Sequence, residues 1–422
     1  MAWKSLCFVL LPLLLAYYIY EPLPDNMEEK WKVMLIDATF RSLGHLCKET
    51  TSICRRGRFL ETELTSTFAE MFGVKHYMDV MMLLTYAEHT EPISDDHVIV
   101  TDTVFSDVPV RLYIPKGKSN TLRRAILYIH GGGWCLGSAT MKPYDLLSKQ
   151  SAHKLNAVIV SMNYRLAPKF HFPIQFDDVY NAAKFFLQEN VLEKYSVDPN
   201  RVAASGDSAG GNLAAALAQM LLHDPEVKVN LKIQVLIYPV LQSLDLNTPS
   251  YKENAYMPIL PKTLMVRFWS EYYTTDRSLF DAMMANEHIP SQYAHLFKYV
   301  NWSTLLPGDL KKNHVYQMPD NQNSLFVKKY PGLLDVRASP LLAEDEKLTG
   351  LPLTYVITCM YDVLRDDGFM YVSRLRNAGV HVVHENYDSA FHGILLMNTE
   401  PFTLSIADRI VENYLHWLDT NL

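Results

Sequence analysis

From Arg124 onward, short apolar runs alternate with helical stretches, and this alternation constrains the fold more than any other feature of the sequence. The runs are rich in Val and Ile and read AILYIH, AVIVSMNY, RVAASG, KIQVLIYPV, LPLTYVITCMY and VHVVHENY. Continuous apolar strands separated by helices are typical of a parallel sheet that helices cover on both faces. The alternation stops between residues 243 and 338. We therefore predict an α/β fold, mostly parallel, with a helical cap formed by residues 23–95 and 243–338.

The N-terminus carries an uncharged apolar run from Ser5 to Tyr20. Lys4 precedes the run, and acidic residues follow it from Glu21 onward. No small-x-small cleavage site closes the run, and its last turns carry tyrosines, which favour a membrane interface. We predict a signal-anchor helix over residues 5–22, with residues 1–4 cytoplasmic and residues 23–422 lumenal. A cleaved signal peptide and a soluble core helix are the alternatives.

Composition excludes several classes of function. The net charge of −7 and the pI near 6.1 argue against a nucleic-acid partner. The five cysteines show no metal-ligand spacing, so we expect no metal, and nothing implies a cofactor or an obligate protein partner. One glycosylation sequon begins at Asn301, and it is relevant only if the chain faces a lumen.

The sequence Gly206-Asp207-Ser208-Ala209-Gly210 matches the G-x-S-x-G nucleophile elbow. In an elbow, a serine lies on a tight turn between a strand and a helix. Here an apolar run precedes Ser208 and an alanine-rich helix follows it, as the elbow requires. A glycine-rich turn with an incidental serine is the alternative. We predict that Ser208 is a nucleophile.

A second glycine-rich loop, His130-Gly131-Gly132-Gly133, ends an upstream strand. A serine that attacks a carbonyl generates an oxyanion, which needs backbone N–H donors. We predict that Gly131, Gly132 and Ala209 provide these donors. We expect His130 to brace the loop, and Trp134 either to line an acyl pocket or to lie in the core.

The serine also needs a base and an acid that orients the base. His392 lies in a short loop between the last strand and the last helix, whereas His381 and His384 lie within a strand. Asp362 directly follows the strand LPLTYVITCMY, and Asp366 and Asp367 open the next helix, where acids stabilise the first turn. We predict that Asp362 and His392 complete the catalytic triad with Ser208.

These motifs together resemble the hormone-sensitive-lipase branch of the α/β hydrolases. The motifs are HGGG, NYRLAP, GDSAGG, DVLRDDG and FHG, and almost the whole chain is similar to the arylacetamide deacetylase family. The resemblance implies an α/β-hydrolase fold, a single-pass type II anchor in the endoplasmic-reticulum membrane, and hydrolysis of lipophilic esters and aryl acetamides. It also implies the same triad. One stretch, Leu46 to Leu64 with Cys47 and Cys54, has no counterpart in that family.

Two other functions remain open at this stage. A neutral cholesteryl-ester or acylglycerol lipase would use the same residues on membrane-derived lipid. A non-catalytic binding protein of the hydrolase fold would lack the serine or the histidine, and both are present.

Finally, we predict a disulfide between Cys135 and Cys359. Cys135 leaves the glycine loop and Cys359 lies near the end of the strand before Asp362, so both should lie at one edge of the sheet. A lumenal location would favour the bond, two buried thiols are the alternative, and the family resemblance also points to the bond.

Overall fold

The computed structural model of the chain describes residues 19–39, 42, 77–117, 121–318, 325–401 and 403–422. One eight-stranded sheet organises these residues, with the order β1-β2-β4-β3-β5-β6-β7-β8. Only the pairs β1–β2 and β2–β4 are antiparallel. The strands are β1 Val98–Phe105, β2 Val108–Pro115, β3 Arg123–Ile129, β4 Ala157–Met162, β5 Val197–Asp207, β6 Ile233–Ile237, β7 Leu353–Tyr361 and β8 Val382–Phe391. The predicted α/β class is confirmed.

The α-helices are numbered here in chain order. They are α1 (residues 30–39), α2 Tyr77–Ala87, α3 Lys142–Leu155, α4 Ile174–Phe186, α5 Glu189–Lys194, α6 Ala209–Leu222, α7 Pro249–Glu253, α8 Lys262–Tyr273, α9 Arg277–Met284, α10 Trp302–Leu305, α11 Gly308–Lys311, α12 Leu325–Lys329, α13 Asp345–Leu348, α14 Arg365–Asn377 and α15 Ser405–Asn421. Short 3-10 turns span Ser291–Val300, Pro331–Leu334, Pro340–Leu342 and Ile394–Leu396.

The two faces of the sheet are buried in separate cores, because successive side chains of a strand point to opposite faces. In β3, Leu127 and Ile129 face a core shared with α4, α6 and α14. Ile126 and Tyr128 face a second core, which α3, α15 and the segment around Met27 complete. Both faces of the central strands are therefore apolar, which explains the continuous Val and Ile runs of the sequence.

The region between β6 and β7 contains helices but no strand within its described residues. It begins beside the carboxyl ends of the strands, where α8 packs on the loop after β3 through Phe268 and Trp269. The predicted anchor lies outside the described residues except for positions 19–22, and the Leu46–Leu64 stretch lies outside them entirely. No helix in the described part of the chain combines the length and the apolar character that a bilayer crossing needs.

The structure contradicts the predicted disulfide, because Cys135 and Cys359 are both free and buried. Cys135 belongs to the core on one face of the sheet and Cys359 to the core on the other. The strands β3 and β7 are also separated by β5 and β6. Both strands do end at the same edge, but they are not neighbours there.

Candidate active site

Ser208 occupies the turn between β5 and α6. Its backbone has φ 54° and ψ −119°, a conformation that a non-glycine residue rarely adopts. The turn brings Gly210 so close to the neighbouring strand that a Cβ atom there would lie 2.0 Å from the carbonyl oxygen of Ile129. Gly206 is similarly constrained, since its Cβ would lie 2.4 Å from the carbonyl oxygen of Gly210. The two glycines thus allow the strained turn that presents the serine.

The structure brings the predicted serine, histidine and aspartate together in one hydrogen-bonded chain. The Nε2 atom of His392 lies 2.9 Å from Oγ of Ser208. The Nδ1 atom of the same ring lies 2.7 Å from Oδ2 of Asp362. The other carboxylate oxygen of Asp362 accepts the N–H of Leu364 at 2.8 Å, which fixes the orientation of the carboxylate. All three residues are buried, with 7% or less of the surface of each exposed.

The other acidic candidates lie elsewhere. Asp366 accepts the N–H of Ser250 at 2.7 Å, and Asp367 accepts the N–H of Leu241 at 2.9 Å. Both carboxylates are fully buried and connect the start of α14 to the chain segment that follows β6. They therefore hold this segment in place and do not contact the imidazole of His392.

The other histidines of the last strand region are also separate from the site. His384 bonds through Nε2 to the hydroxyl of Thr358 at 2.9 Å, and its ring meets Phe369 edge-on. His381 precedes β8 and its carbonyl accepts the N–H of Thr354. Neither side chain is hydrogen-bonded to the serine or to Asp362.

The structure of the glycine loop corrects one of the predicted oxyanion donors, Gly131. The N–H of Gly131 is already used, since it donates to Oδ1 of Asp207 at 3.1 Å and contacts the hydroxyl of Tyr144 at 3.0 Å. Among the residues that the structure describes, the N–H groups of Gly132, Gly133 and Ala209 have no protein acceptor. The first glycine of the loop therefore attaches it to the elbow, and the donors available to a ligand begin one residue later.

His130 lies behind this loop. Its ring is fully buried and stacks on Tyr164 with centroids 4.4 Å apart, and its Nδ1 lies 2.8 Å from the carbonyl oxygen of Gly131. Burial lowers the pKa of His130 to about 4, so the ring is neutral at physiological pH and Nδ1–H is the donor. His130 therefore braces the glycine loop through its stacking on Tyr164 and its hydrogen bond to Gly131, as predicted.

Trp134 continues the loop with φ 58° and is fully buried. Its ring stacks on Tyr272 at 4.2 Å and tilts against Trp269 at 4.5 Å, and both residues belong to α8. Of the two roles predicted for Trp134, these contacts describe core packing between the loop and the region between β6 and β7, which is called the cap region below.

Two side chains that the sequence reasoning did not select also organise the site. Asp207 is buried beside the serine and accepts the hydroxyls of Tyr128 and Tyr144, each at 3.1 Å, as well as the N–H of Gly131. Burial raises the pKa of Asp207 to about 6, although the hydrogen bonds to its carboxylate oppose that shift. Its signal in the sequence is its position, since it is the first variable residue of G-x-S-x-G.

Asn254 is the second such residue. Its amide donates to the carbonyl of Met360 at 3.1 Å and to that of Asp362 at 2.9 Å. It thereby fixes the backbone that carries the acid. No motif marks Asn254 in the sequence, because its role arises only when the segment between β6 and β7 folds back on the end of β7.

Within the described ranges, no cluster of three His, Cys, Asp or Glu side chains is arranged to hold a metal ion. The arrangement consists instead of a serine hydroxyl bonded to an imidazole, a carboxylate behind that imidazole, and nearby backbone N–H groups. Such a site can carry out nucleophilic attack on a carbonyl.

Comparison with known proteins identifies the family of the chain. The profile described as the alpha/beta hydrolase fold matches residues 126–298 and 304–396. Arylacetamide deacetylase of Bos taurus is 54% identical over 419 residues, which cover 99% of each chain. The chain belongs to the arylacetamide deacetylase family of α/β hydrolases. It is a carboxylic-ester hydrolase.

Other members of this wider family are more distant. Arylacetamide deacetylase-like 2 of Homo sapiens is 45% identical over 422 residues, covering 100% of each chain. Neutral cholesterol ester hydrolase 1 of Bos taurus is 44% identical over 426 residues, covering 99% of this chain and 100% of the relative.

Solved structures agree with this assignment. An α/β-hydrolase enzyme from the metagenome of Lake Arreo superposes with a TM-score of 0.62 at 25% identity, covering 94% of this chain and 98% of the other. A bacterial heroin esterase gives a TM-score of 0.60 at 25% identity, covering 84% and 93%. The predicted resemblance is therefore confirmed at the level of family and fold.

Proposed function

We propose that this hydrolase cleaves lipophilic carboxylic esters and aryl acetamides through Ser208, His392 and Asp362. The observation that carries the proposal is the continuous contact from Ser208 Oγ through the imidazole to the Asp362 carboxylate, at 2.9 and 2.7 Å. The hydroxyl of a serine is a weak nucleophile until a neighbouring base removes its proton.

The reaction follows from this geometry. Nε2 of His392 accepts the proton as Ser208 Oγ bonds to the acyl carbon, and Asp362 holds the imidazole in the required tautomer and stabilises its charged form. The N–H groups of Gly132, Gly133 and Ala209 stabilise the oxyanion. His392 then protonates the leaving alcohol or amine. A water molecule repeats the sequence on the acyl-enzyme, which releases the acid and regenerates the serine.

The similarity to arylacetamide deacetylases over the full chain supports the substrate class. The 44% identity to neutral cholesterol ester hydrolase 1 supports a second candidate, hydrolysis of cholesteryl esters or acylglycerols. Both reactions use the same triad, so the residues around the triad decide between them. Turnover of an aryl acetamide, a cholesteryl ester and a triacylglycerol by one preparation separates the candidates.

The mechanism is tested by Ser208→Ala. The variant should lose ester turnover by roughly 10⁶-fold while retaining the melting temperature of the wild type, because the hydroxyl contributes to chemistry and not to the core. Ser243→Ala, a change of the same size at another buried serine, serves as the control and should retain turnover. Esterase activity that survives in Ser208→Ala would exclude Ser208 as the nucleophile.

We also propose that residues 5–22 form a signal-anchor in the endoplasmic-reticulum membrane and that the hydrolase domain is lumenal. The charge asymmetry around the apolar run supports this orientation. Asn301 lies at the start of α10, where its side chain accepts the N–H of Ser303 at 3.1 Å, and it would carry a glycan in the lumen. In cells, the protein should resist alkaline carbonate extraction and lose an Asn301 glycan to endoglycosidase H. Asn301→Gln should abolish the mobility shift, and a carbonate-soluble, glycan-free protein would refute the topology.

A further inference from the structure

Helix α1 has two apolar faces, and only one of them is covered by the residues that the structure describes. Val33 and Ile36 are buried in the core at exposures of 1% and 2%. Trp31 and Leu35, four residues apart and therefore neighbours on the helix surface, are exposed by 62% and 44%. Tyr20, at the start of the described segment, is 65% exposed. An amphipathic helix of a soluble domain normally presents polar side chains on its outer face, so this face has the composition of a contact surface.

The segment that carries α1 is fixed to the catalytic edge of the sheet. The side chain of Asn26 donates to the carbonyl of Asp388 at 2.9 Å and accepts the hydroxyl of Tyr361, the residue before the catalytic acid. Glu28 bonds to the hydroxyl of Ser389 at 3.1 Å and to Arg409 at 2.6 Å. These contacts place the start of the described chain beside the ends of β7 and β8.

A second exposed aromatic residue lies on a segment bound to the same strand end. Tyr256 is 85% exposed, and it follows Asn254, whose amide holds the carbonyls of Met360 and Asp362. Ile259, three residues on, lies within van der Waals reach of Gly393, next to the catalytic histidine. The N-terminal segment and the segment after β6 therefore both attach to residues 360–362, and each carries exposed apolar side chains.

We propose that Tyr20, Trp31, Leu35 and Tyr256 form an apolar rim that rests in the headgroup region of a phospholipid bilayer, so that lipophilic substrate enters the active site from the membrane. The inference rests on the anchor and the hydrolase activity proposed above. The apolar run from Ser5 ends at Tyr20, so Tyr20 lies at the end of the proposed membrane crossing, and Trp31 and Leu35 follow it by 11 and 15 residues. Trp and Tyr are the side chains that favour the membrane interface, because each combines an apolar body with a polar end.

The position of the rim is tested with full-length protein in phosphatidylcholine vesicles whose acyl chains are brominated, since bromine quenches the fluorescence of nearby tryptophans. Trp31→Phe should remove a quenched component that the wild type shows. Trp417→Phe is the matched control, because Trp417 stacks on Tyr355 at the opposite end of β7, and it should leave the quenched component in place. Equal quenching in the wild type and in Trp31→Phe would overturn the inference.

The role in substrate entry is tested with Leu35→Asp. Hydrolysis of a long-chain ester dissolved in the vesicles should fall by roughly tenfold. This is the loss expected when one leucine side chain no longer inserts into the apolar part of the bilayer. Hydrolysis of a water-soluble acetate ester should not change. Val104→Asp, at an exposed position of β1 at the far edge of the sheet, should alter neither rate. An equal loss on both substrates, or none on either, would overturn the inference.

The outcomes for the underlying proposals are separate. Wild-type protein that does not float with the vesicles would refute the anchor. Wild-type protein that floats but hydrolyses neither ester would refute the catalytic assignment. Neither result depends on Trp31 or Leu35.

Discussion

The active site has two halves that the fold holds by different means. The nucleophile half comes from the neighbouring strands β3 and β5, and the buried Asp207 carboxylate joins the glycine loop to the elbow within this half. The acid–base half comes from β7 and β8. Asn254, Asp366 and Asp367 attach its backbone to the segment that follows β6.

This difference determines which substitutions can alter each half of the site. In the nucleophile half, Asp207 holds the glycine loop and the elbow to each other, and Trp134 packs the same loop against α8. Because this half carries the nucleophile and the oxyanion donors, changes at Asp207 should affect every substrate alike. The acid–base half depends on contacts with the cap region, so distant changes in that region can reach Asp362 and His392. Strand β6 lies between the halves, and Tyr238, the residue that follows it, places its ring 4.8 Å from that of His392.

The largest effect that we predict within this comparison comes from Asp362→Asn. The amide cannot stabilise the imidazolium and favours the wrong tautomer, so kcat should fall by roughly 10⁴-fold. Asp366→Asn is the matched control: it should lower the melting temperature, since Asp366 bonds to Arg365 and Ser250, while leaving most of the turnover. A reversed pattern would show that the wrong carboxylate has been assigned to the triad.

The next largest effect concerns Asp207 in the nucleophile half. Asp207→Asn replaces one of the two acceptor oxygens with an NH2 donor, so the side chain can no longer accept from Tyr128, Tyr144 and Gly131 together. The oxyanion loop should therefore lose its alignment, and kcat should fall by roughly 10²-fold with little change in KM. Tyr144→Phe removes one of the same hydrogen bonds and should cost less. Steady-state kinetics on a soluble ester and an aryl acetamide should give the same ratio for both substrates. A change confined to KM would contradict the positioning role.

Asp207 also gives the stability of the fold a pH dependence of definite sign. Burial raises its pKa from 3.8 to about 6, so the folded protein favours the protonated carboxyl. The resulting stabilisation is complete below about pH 4 and is lost as the pH rises through 6. Asparagine does not titrate, so the stability advantage of the wild type over Asp207→Asn should shrink between pH 4.5 and pH 7.5. Melting curves of both proteins across this range measure it, and an advantage that grows would contradict the prediction.

A smaller effect is expected from Asn254→Ala in the acid–base half. Two hydrogen bonds to backbone carbonyls are lost, but the contact between Asp362 and His392 stays, so turnover should fall by about tenfold or less. Asn247→Ala, in the same region, is the control and should have no comparable effect. An unchanged rate in Asn254→Ala would show that the position of Asp362 does not depend on the Asn254 hydrogen bonds.

The smallest effect is expected at the cysteines. Cys135→Ser and Cys359→Ser should have almost the same activity and melting temperature as each other. A reductant should not alter the activity or the melting temperature of the wild type. Alkylation of the unfolded, unreduced protein should label both thiols. Detection of a disulfide-linked Cys135–Cys359 peptide would contradict this prediction and would show a covalent link between the two halves.

The sequence predicts the parts of this site that depend on local chemistry. The elbow around Ser208 has a glycine pattern that fits one tight turn, and Asp362 and His392 each follow a strand that apolar residues define. The apolar runs locate the strands for the same reason, although the observed limits of β5 and β8 differ from the predicted ones by up to four residues. The sheet's carboxyl edge then brings residues from three strands together.

The sequence does not determine features that depend on neighbours distant along the chain. The letters HGGG do not show which N–H faces the serine, and Gly131 was assigned to the oxyanion hole because its bond to Asp207 cannot be read from the motif. The disulfide prediction was wrong because the lateral order of β3 and β7 cannot be read from the sequence. Asn254 was missed because its partners lie more than a hundred residues away.

The most direct test of the account is the site of covalent labelling by a fluorophosphonate, which reacts only with an activated serine. Peptide mapping of the wild-type protein should find the adduct on Ser208, and His392→Ala should suppress the labelling rate by orders of magnitude because the base is gone. Ser205 and Ser243, both buried nearby, should remain unlabelled. An adduct on a different serine, or undiminished labelling of His392→Ala, would contradict the assignment of Ser208 and His392 as nucleophile and base.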